Sequence, residues 1–217
     1  LFGNKTFDRG EVKIIHNAID IDKFRFDEVA RKKLRKEFGI KDSTIVIGHV
    51  GRFVQQKNHT FLVDVFEEYH EKNPDSKLLL VGSGPLEDKI KKKVEKLGLK
   101  NSVLFLGQRD DINKLYSAMD IFCLPSLYEG LPVVGVEAQA TGLPCMFSDR
   151  ISSDVKRTEL IKFIKLTEKS KKWSNEIAKA VSHKRSPSVS SGHIKDYNVE
   201  EAVIFLKMEY FSRDISA

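Results

Sequence analysis

The chain has 217 residues, 41% of them hydrophobic and 31% charged, the balance of a globular protein with one sizeable core. Lysine and arginine number 37 against 31 acidic residues, a formal charge of +6 that favours anionic partners such as phosphates, anionic lipid or nucleic acid. No run approaches the roughly 18 to 20 apolar residues of a membrane-spanning helix, the first residues carry no basic-then-apolar leader, and no cluster has metal-ligand spacing, so a cytoplasmic, metal-free protein is expected.

In chain order, the first segment with a pattern is 11–17 (EVKIIHN), a strand candidate that with the linker makes up 1–26. A basic helix is predicted over 27–38. Its RKKLRK run at 31–36, like KIKKKVEK at 89–96, reads as the solvated face of an amphipathic helix. Strand-length apolar runs then alternate with helix-length segments. The runs are 44–50 (TIVIGHV), 77–82 (KLLLVG), 102–107 (SVLFLG), 120–125 (DIFCLP) and 143–148 (LPCMFS), each short, continuous and bounded by Gly, Pro or polar residues. Helices are predicted at 59–72, 85–97, 111–118 and 131–141. Asn58 is placed to cap the first, Pro85 stands in a first turn, and Gly98 and Gly142 occupy stop positions. Alternation of this kind implies a parallel sheet wound on both sides by helices through right-handed crossovers. Beyond Asp149 the pattern is less regular: 182–196 reads as a Ser-rich surface loop with Pro187 and Gly192, and 200–211 as a closing helix. One domain is expected, with its core over 27–180 and the loop and helix over 181–217. Cys123 and Cys145 lie inside apolar runs and read as buried thiols, and the six histidines as structural or surface residues.

Open doubly wound sheets bind ligands at the carboxyl ends of their strands, which directs attention to three loops. After the first strand come Gly51 and Arg52, with Lys57 five residues beyond; after the second, Gly82-Ser83-Gly84-Pro85; after the fourth, Ser126 through Pro132. Arg52 offers a planar fork and Lys57 a point charge for phosphate oxygens, although two loop cations on a surface read equally well as solvated. Gly82-Ser83-Gly84 lacks a third glycine at Glu87, so it is a tight turn rather than a dinucleotide fingerprint. Gly130-Leu131-Pro132 opens a helix whose unpaired amides suit an anionic diphosphate. Glu129 before it and Glu137 inside it suit different hydroxyls of one elongated ligand. Locally, Glu129 favouring the helix dipole and Glu137 facing water are also open, but Glu137 stands in the apolar run VVGVEAQA, where a charge without a partner is costly.

The ordered series His16-Asn17-Ala18-Ile19-Asp20, Val50-Gly51-Arg52 with Lys57, Leu80 to Pro85, Phe105-Leu106-Gly107, Leu124-Pro125-Ser126 into Glu129-Gly130-Leu131-Pro132, Glu137-Ala138 and Gly142-Leu143-Pro144 resembles glycosyltransferase family 4, or glycosyltransferase group 1, from about residue 12 to 150. The resemblance implies the C-terminal, Rossmann-like half of a GT-B enzyme, which holds a nucleoside-diphosphate sugar. It gives Arg52 and Lys57 to the diphosphate, Glu129 to the transferred sugar and Glu137 to the ribose. Gly51, Gly82 and the amides of Gly130 and Leu131 lie around the donor, and Gln108 and Arg109 beside the base. It further implies retention of configuration, no metal or other cofactor, a UDP- or GDP-sugar donor, no nucleic acid, and polysaccharide or glycolipid acceptors, with peripheral contact at the inner membrane face left open. The chain departs from the family at Ala18, where Gly is common, and at Gln139, where Met is more usual. It opens where that family's interdomain linker enters the second domain, so the N-terminal acceptor domain is expected to be absent and the chain alone to be inactive. Other classes stay open: a non-catalytic nucleotide-sugar-binding or interaction module, or an epimerase or phosphorylase on the same two-domain plan.

Overall fold

The computed structural model describes residues 17–182 and 197–211. The strand proposed at 11–17 and the loop at 182–196 lie almost wholly outside these residues. Six parallel strands make one sheet: β1 (Ile45–Val50), β2 (Ser76–Val81), β3 (Val103–Phe105), β4 (Ile121–Leu124), β5 (Cys145–Ser148) and β6 (Ile161–Ile164), in the order β3-β2-β1-β4-β5-β6. Helices α1 (Glu28–Glu37), α4 (Ile112–Ala118) and α5 (Val133–Ala140) cover one face, and α2 (His59–His70), α3 (Glu87–Lys96) and α6 (Ser170–Val181) the other.

The pleat assigns successive residues of each strand to opposite cores. Val46 and Val50 of β1 and Phe122 and Leu124 of β4 pack under α1, α4 and α5. Ile47, Ile121 and Cys123 pack under α2, α3 and α6, beside Leu62, Phe66, Ile90, Trp173 and Ile177. Because the inner strands are covered twice, their sequences are continuous apolar runs, and each fully buried Leu or Phe contributes about 1.5 to 3 kcal/mol. Both cysteines are buried and free, one in each core, so the sheet itself separates them. Burial raises the Cys123 thiol far above its ordinary range, as an inert core residue requires.

Several expectations change in detail. Helix α1 is solvated along only part of its basic run: Lys32, Lys33 and Lys36 are exposed as expected, but Arg35 is only 1% exposed and Arg31 is half-buried. Arg35 donates to the carbonyls of Lys41, Thr44 and Ala118 and, with Arg31, to Asp120, while Asp120 also accepts from the Val46 amide. These two guanidinium groups close the ends of β1 and β4 remote from the strand carboxyl termini. The 89–96 run does behave as expected, with Ile90 and Val94 inward and most of its lysines exposed. Asn58 does not cap α2 with its side chain, which reaches instead to the Pro125 carbonyl at 3.2 Å. Pro85 precedes α3 by two residues, and α5 begins at Val133 rather than at 131. Gly98 and Gly142 do end α3 and α5 in left-handed conformation, at φ 69° and 71°.

Strand β6 and helix α6 have no counterpart in the predicted elements. β6 is an edge strand with exposed Lys162 in its middle, so it shows no continuous apolar run. The closing helix exists as α7 (Val199–Phe211), tied to the body by the Ile19–Tyr197 and Val199–Ile19 backbone bonds. Its apolar residues surround the axis, leaving Ile204 and Met208 exposed.

Candidate functional site

From β1 the chain crosses to β2 and β3 on one side, then returns to the other side of β1 as β4. The carboxyl ends of β1 and β4 therefore diverge, and a crevice opens between their loops, where doubly wound sheets bind ligands. The β1 loop contributes Gly51, Arg52, a short 3-10 turn at Gln55–Lys57 and Asn58; the β4 loop contributes Ser126 through Pro132.

These two loops are stitched together. The Leu127 amide donates to the Gln56 carbonyl at 2.8 Å, the Gln56 amide group to the Tyr128 carbonyl at 2.9 Å, and Asn58 to Pro125. Asn58 stands at φ 55°, the one non-glycine residue with positive φ among the described residues, a conformation asparagine tolerates well. The backbone of Glu129 is fixed from its other side by the β5 exit loop, with its amide donating to the Arg150 carbonyl and its carbonyl accepting from the Ser152 amide. Stitching brings Lys57 Nζ to 2.5 Å from Glu129 Oε1, with side chains 15% and 11% exposed. Arg52, by contrast, is exposed and makes no ion pair among the described residues.

Gly82 belongs to the same corner for a steric reason. It stands at φ 129°, and a Cβ there would meet the Gly51 carbonyl oxygen at 2.2 Å, so only glycine lets the β2 exit pack under the β1 exit. At Gly130 a Cβ would meet nothing within 4 Å, and the residue faces open space. Gly130 and Leu131 precede α5 rather than opening it. Their amides and those of Val133 and Val134 have no acceptor among the described residues, so a short run of N–H groups lies beside Lys57 and Glu129 at the positive end of the helix.

Glu137 sits one turn inside α5 and is half-buried. Its partner is Tyr116 of α4, whose hydroxyl donates to Glu137 Oε2 at 2.9 Å and lies 3.2 Å from the Val134 carbonyl. Burial raises the Glu137 carboxyl above its usual range, opposed by the Tyr116 bond and by the charge of Lys23. The partner that the apolar run demanded thus comes from another helix, twenty-one residues earlier, where Tyr116 reads simply as a core aromatic.

Gln108 and Arg109 follow β3, at the rim. Gln108 donates to Ser83 Oγ at 3.0 Å. Arg109 is held by its neighbour Asp111 through two bonds of 2.8 Å, which turn its fork toward α4. Among the described residues no group of three or more His, Cys, Asp or Glu could hold a metal ion.

The fold recurs in solved structures. Anabaena Alr3699/HepE in complex with UDP and glucose superposes on 92% of this chain and 56% of its own, with a TM-score of 0.79 and 23% identity. The C-terminal domain of a glycosyl transferase group 1 family protein (LpcC) from Francisella tularensis matches over 89% of this chain and 98% of its own, with a TM-score of 0.64 and 17% identity. That match places the architecture as the C-terminal half of a GT-B fold. Among curated proteins, EpsF of Bacillus subtilis (strain 168), which carries a glycosyltransferase name, is 39% identical over 181 residues, 83% of this chain and 47% of its own. An Escherichia coli UDP-Gal:alpha-D-GlcNAc-diphosphoundecaprenol alpha-1,3-galactosyltransferase is 36% identical over 143 residues, 64% of this chain and 37% of its own. The chain thus spans about half the length of such relatives or less. The family model described as glycosyl transferases group 1 matches residues 30–188, the sheet, its helices and every loop of the crevice, and the chain belongs to that family.

Proposed function

We propose that this chain is the nucleotide-sugar-donor domain of a retaining glycosyltransferase, which moves a hexosyl or related sugar to a polysaccharide, glycolipid or other acceptor without a metal ion. The observation that carries the reading is the meeting of Lys57 and Glu129 at 2.5 Å in the switch-point crevice, beside free backbone amides at the start of α5. Anabaena HepE, of the same fold, is described in complex with UDP and with UDP-glucose, which supports a nucleoside-diphosphate ligand here.

Each group then has a task its chemistry suits. Arg52 and Lys57 hold the diphosphate and offset the negative charge that develops on it as the sugar departs. Amides around Gly130 add fixed dipoles of the same sign. Glu129, tied to Lys57 through Oε1, accepts from a sugar hydroxyl with its other oxygen. Glu137, tied to Tyr116 through Oε2, accepts from the ribose, and Gln108 with Arg109 flanks the base. The acceptor side belongs to the portion of the relatives outside the match, so this domain by itself binds donor and transfers nothing. Action on a lipid-linked acceptor at the inner face of a membrane fits the net positive charge.

The test is a calorimetric titration of the chain with UDP, GDP, ADP and their sugar conjugates, with and without magnesium. One nucleoside diphosphate should bind, equally well in both conditions. No binding of any of them at millimolar concentration would sink the donor-site reading, and binding that depends on magnesium would remove its metal-free part.

A further inference from the structure

The loop that carries Arg52 and Lys57 is bracketed by two histidines. His49, the penultimate residue of β1, is 0% exposed, and His59, the first residue of α2, is 3% exposed. Their rings meet edge to face with centroids 4.6 Å apart. On its other side His59 lies against Phe53, at 4.1 Å and 16° between planes. Phe53 comes from the middle of the loop, is itself 1% exposed, and is fixed by backbone bonds to Ser83 and Leu86. One stack of three rings therefore joins the beginning, middle and end of the segment from 49 to 59.

Hydrogen bonding does not explain the two imidazoles. His49 Nδ1 lies 2.8 Å from the Cys123 carbonyl, an acceptor only, so Nδ1 carries the proton and ties β1 to β4 at the switch point. Its Nε2, and both nitrogens of His59, find no partner among the described residues. Such groups cost free energy when buried, so what holds His59 in place is the shape and stacking of its ring, whereas His49 is held by its Nδ1 bond as well as by ring contact. A Cβ on Gly51 would lie 3.1 Å from His49 Nε2 and 3.2 Å from Lys57 Cδ, so the Lys57 stem and the His49 ring both close over the face of Gly51 where a side chain would project. The charged group that acts on both imidazoles is Lys57. Burial, aided by the charge of Lys57, holds His59 at about 4, so the ring is neutral in ordinary buffers.

We propose that the His49–His59–Phe53 ring stack is a positioning element for the nucleotide, setting where Arg52 and Lys57 stand before the diphosphate arrives. This rests on the donor-site reading given above. Since Arg52 has no partner of its own, the stack beneath its neighbour Phe53 supplies its fixed point, and preorganisation of this kind removes an ordering cost from binding.

Two variants of the full chain decide the matter, with affinity for UDP and GDP read by calorimetry and amide exchange read across residues 51–58. His59→Ala should weaken binding by about tenfold, or about 1.4 kcal/mol, and speed exchange in the loop. His59→Phe, which keeps a ring and discards both nitrogens, should bind within about threefold of the unaltered chain and restore slow exchange. Leu34→Ala in α1, a core truncation remote from the loop, controls for general destabilisation and should leave affinity unchanged. If His59→Ala binds like the unaltered chain, the stack positions nothing. If His59→Phe fails as His59→Ala does, the nitrogens matter and the ring-stack proposal is wrong. Failure of the unaltered chain to bind any nucleoside diphosphate would instead remove the donor-site reading, and the proposal with it.

Discussion

Lys57 and Glu129 occupy the same corner but are held very differently from Arg52, and the difference predicts distinct mutant behaviour. Arg52 is exposed and unpaired among the described residues, so Arg52→Ala should weaken nucleoside-diphosphate binding by about 1 to 3 kcal/mol with almost no change in melting temperature. Lys57→Met should lower both affinity and melting temperature, because it strands a Glu129 carboxylate that is only 11% exposed. A double-mutant cycle between Lys57 and Glu129, read by urea unfolding, should return a coupling of about 1 to 3 kcal/mol; additive effects would show that the close approach has no energetic weight. Glu137→Gln should also weaken nucleotide binding by about 1 to 3 kcal/mol while barely shifting the melting temperature, since glutamine still accepts from Tyr116. Arg52, Lys57 and Glu129 could be selected from the sequence by residue type and by position after apolar runs, and Glu137 as a charge inside one. Tyr116 and Asn58 could not, because each acts through a contact to a distant segment that no local pattern encodes.

At the scale of elements, the departure at Gln139 has a structural account. The side chain is fully buried on α5, donates to the Gly135 and Val155 carbonyls at 2.8 Å each, and accepts from the amides of Arg157 and Thr158 at 2.8 and 3.1 Å. It thereby welds α5 to the segment leading into β6, including Arg157, which lies against the Tyr197 ring at 4.5 Å. Gln139→Met fills the space but leaves the part-buried Arg157 amide and the buried Thr158 amide without acceptors, and should cost about 2 to 4 kcal/mol in urea unfolding. Helix α1 offers a parallel case. Arg35→Lys keeps the charge but cannot reproduce a fork that spans the carbonyls of Lys41, Thr44 and Ala118, and should cost about 3 kcal/mol or more. The amphipathic pattern of RKKLRK concealed this burial, because a hydrophobicity count scores arginine as solvent-facing wherever it stands. Strand β6 was hidden for the opposite reason: an edge strand needs only part of its surface covered.

The whole molecule should lose stability in acid in two stages. His59 at about 4, and His49 held well below its ordinary value by burial, take up protons more readily unfolded than folded, so stability falls as pH drops from about 6.5 toward 4. Glu176 is held down at about 2 by Lys162, Lys172 and Lys179, so its contribution is present above the ordinary glutamate range and is lost as pH falls from about 4.5 toward 2. Urea midpoints measured between pH 8 and 4 should therefore be flat above pH 7 and decline below about 6.5, less steeply in His59→Phe; an unchanged slope in that variant would assign the acid loss elsewhere. The sequence by itself determined the α/β class, the first five strands and the loops that carry the charges, because doubly covered strands must be apolar throughout and their ends must be punctuated. Only the tertiary structure decided which charges meet. Lys57 and Glu129 are 72 residues apart in the chain, and their contact depends on β4 returning to the far side of β1, a choice made by sheet order and helix packing rather than by any local run of residues.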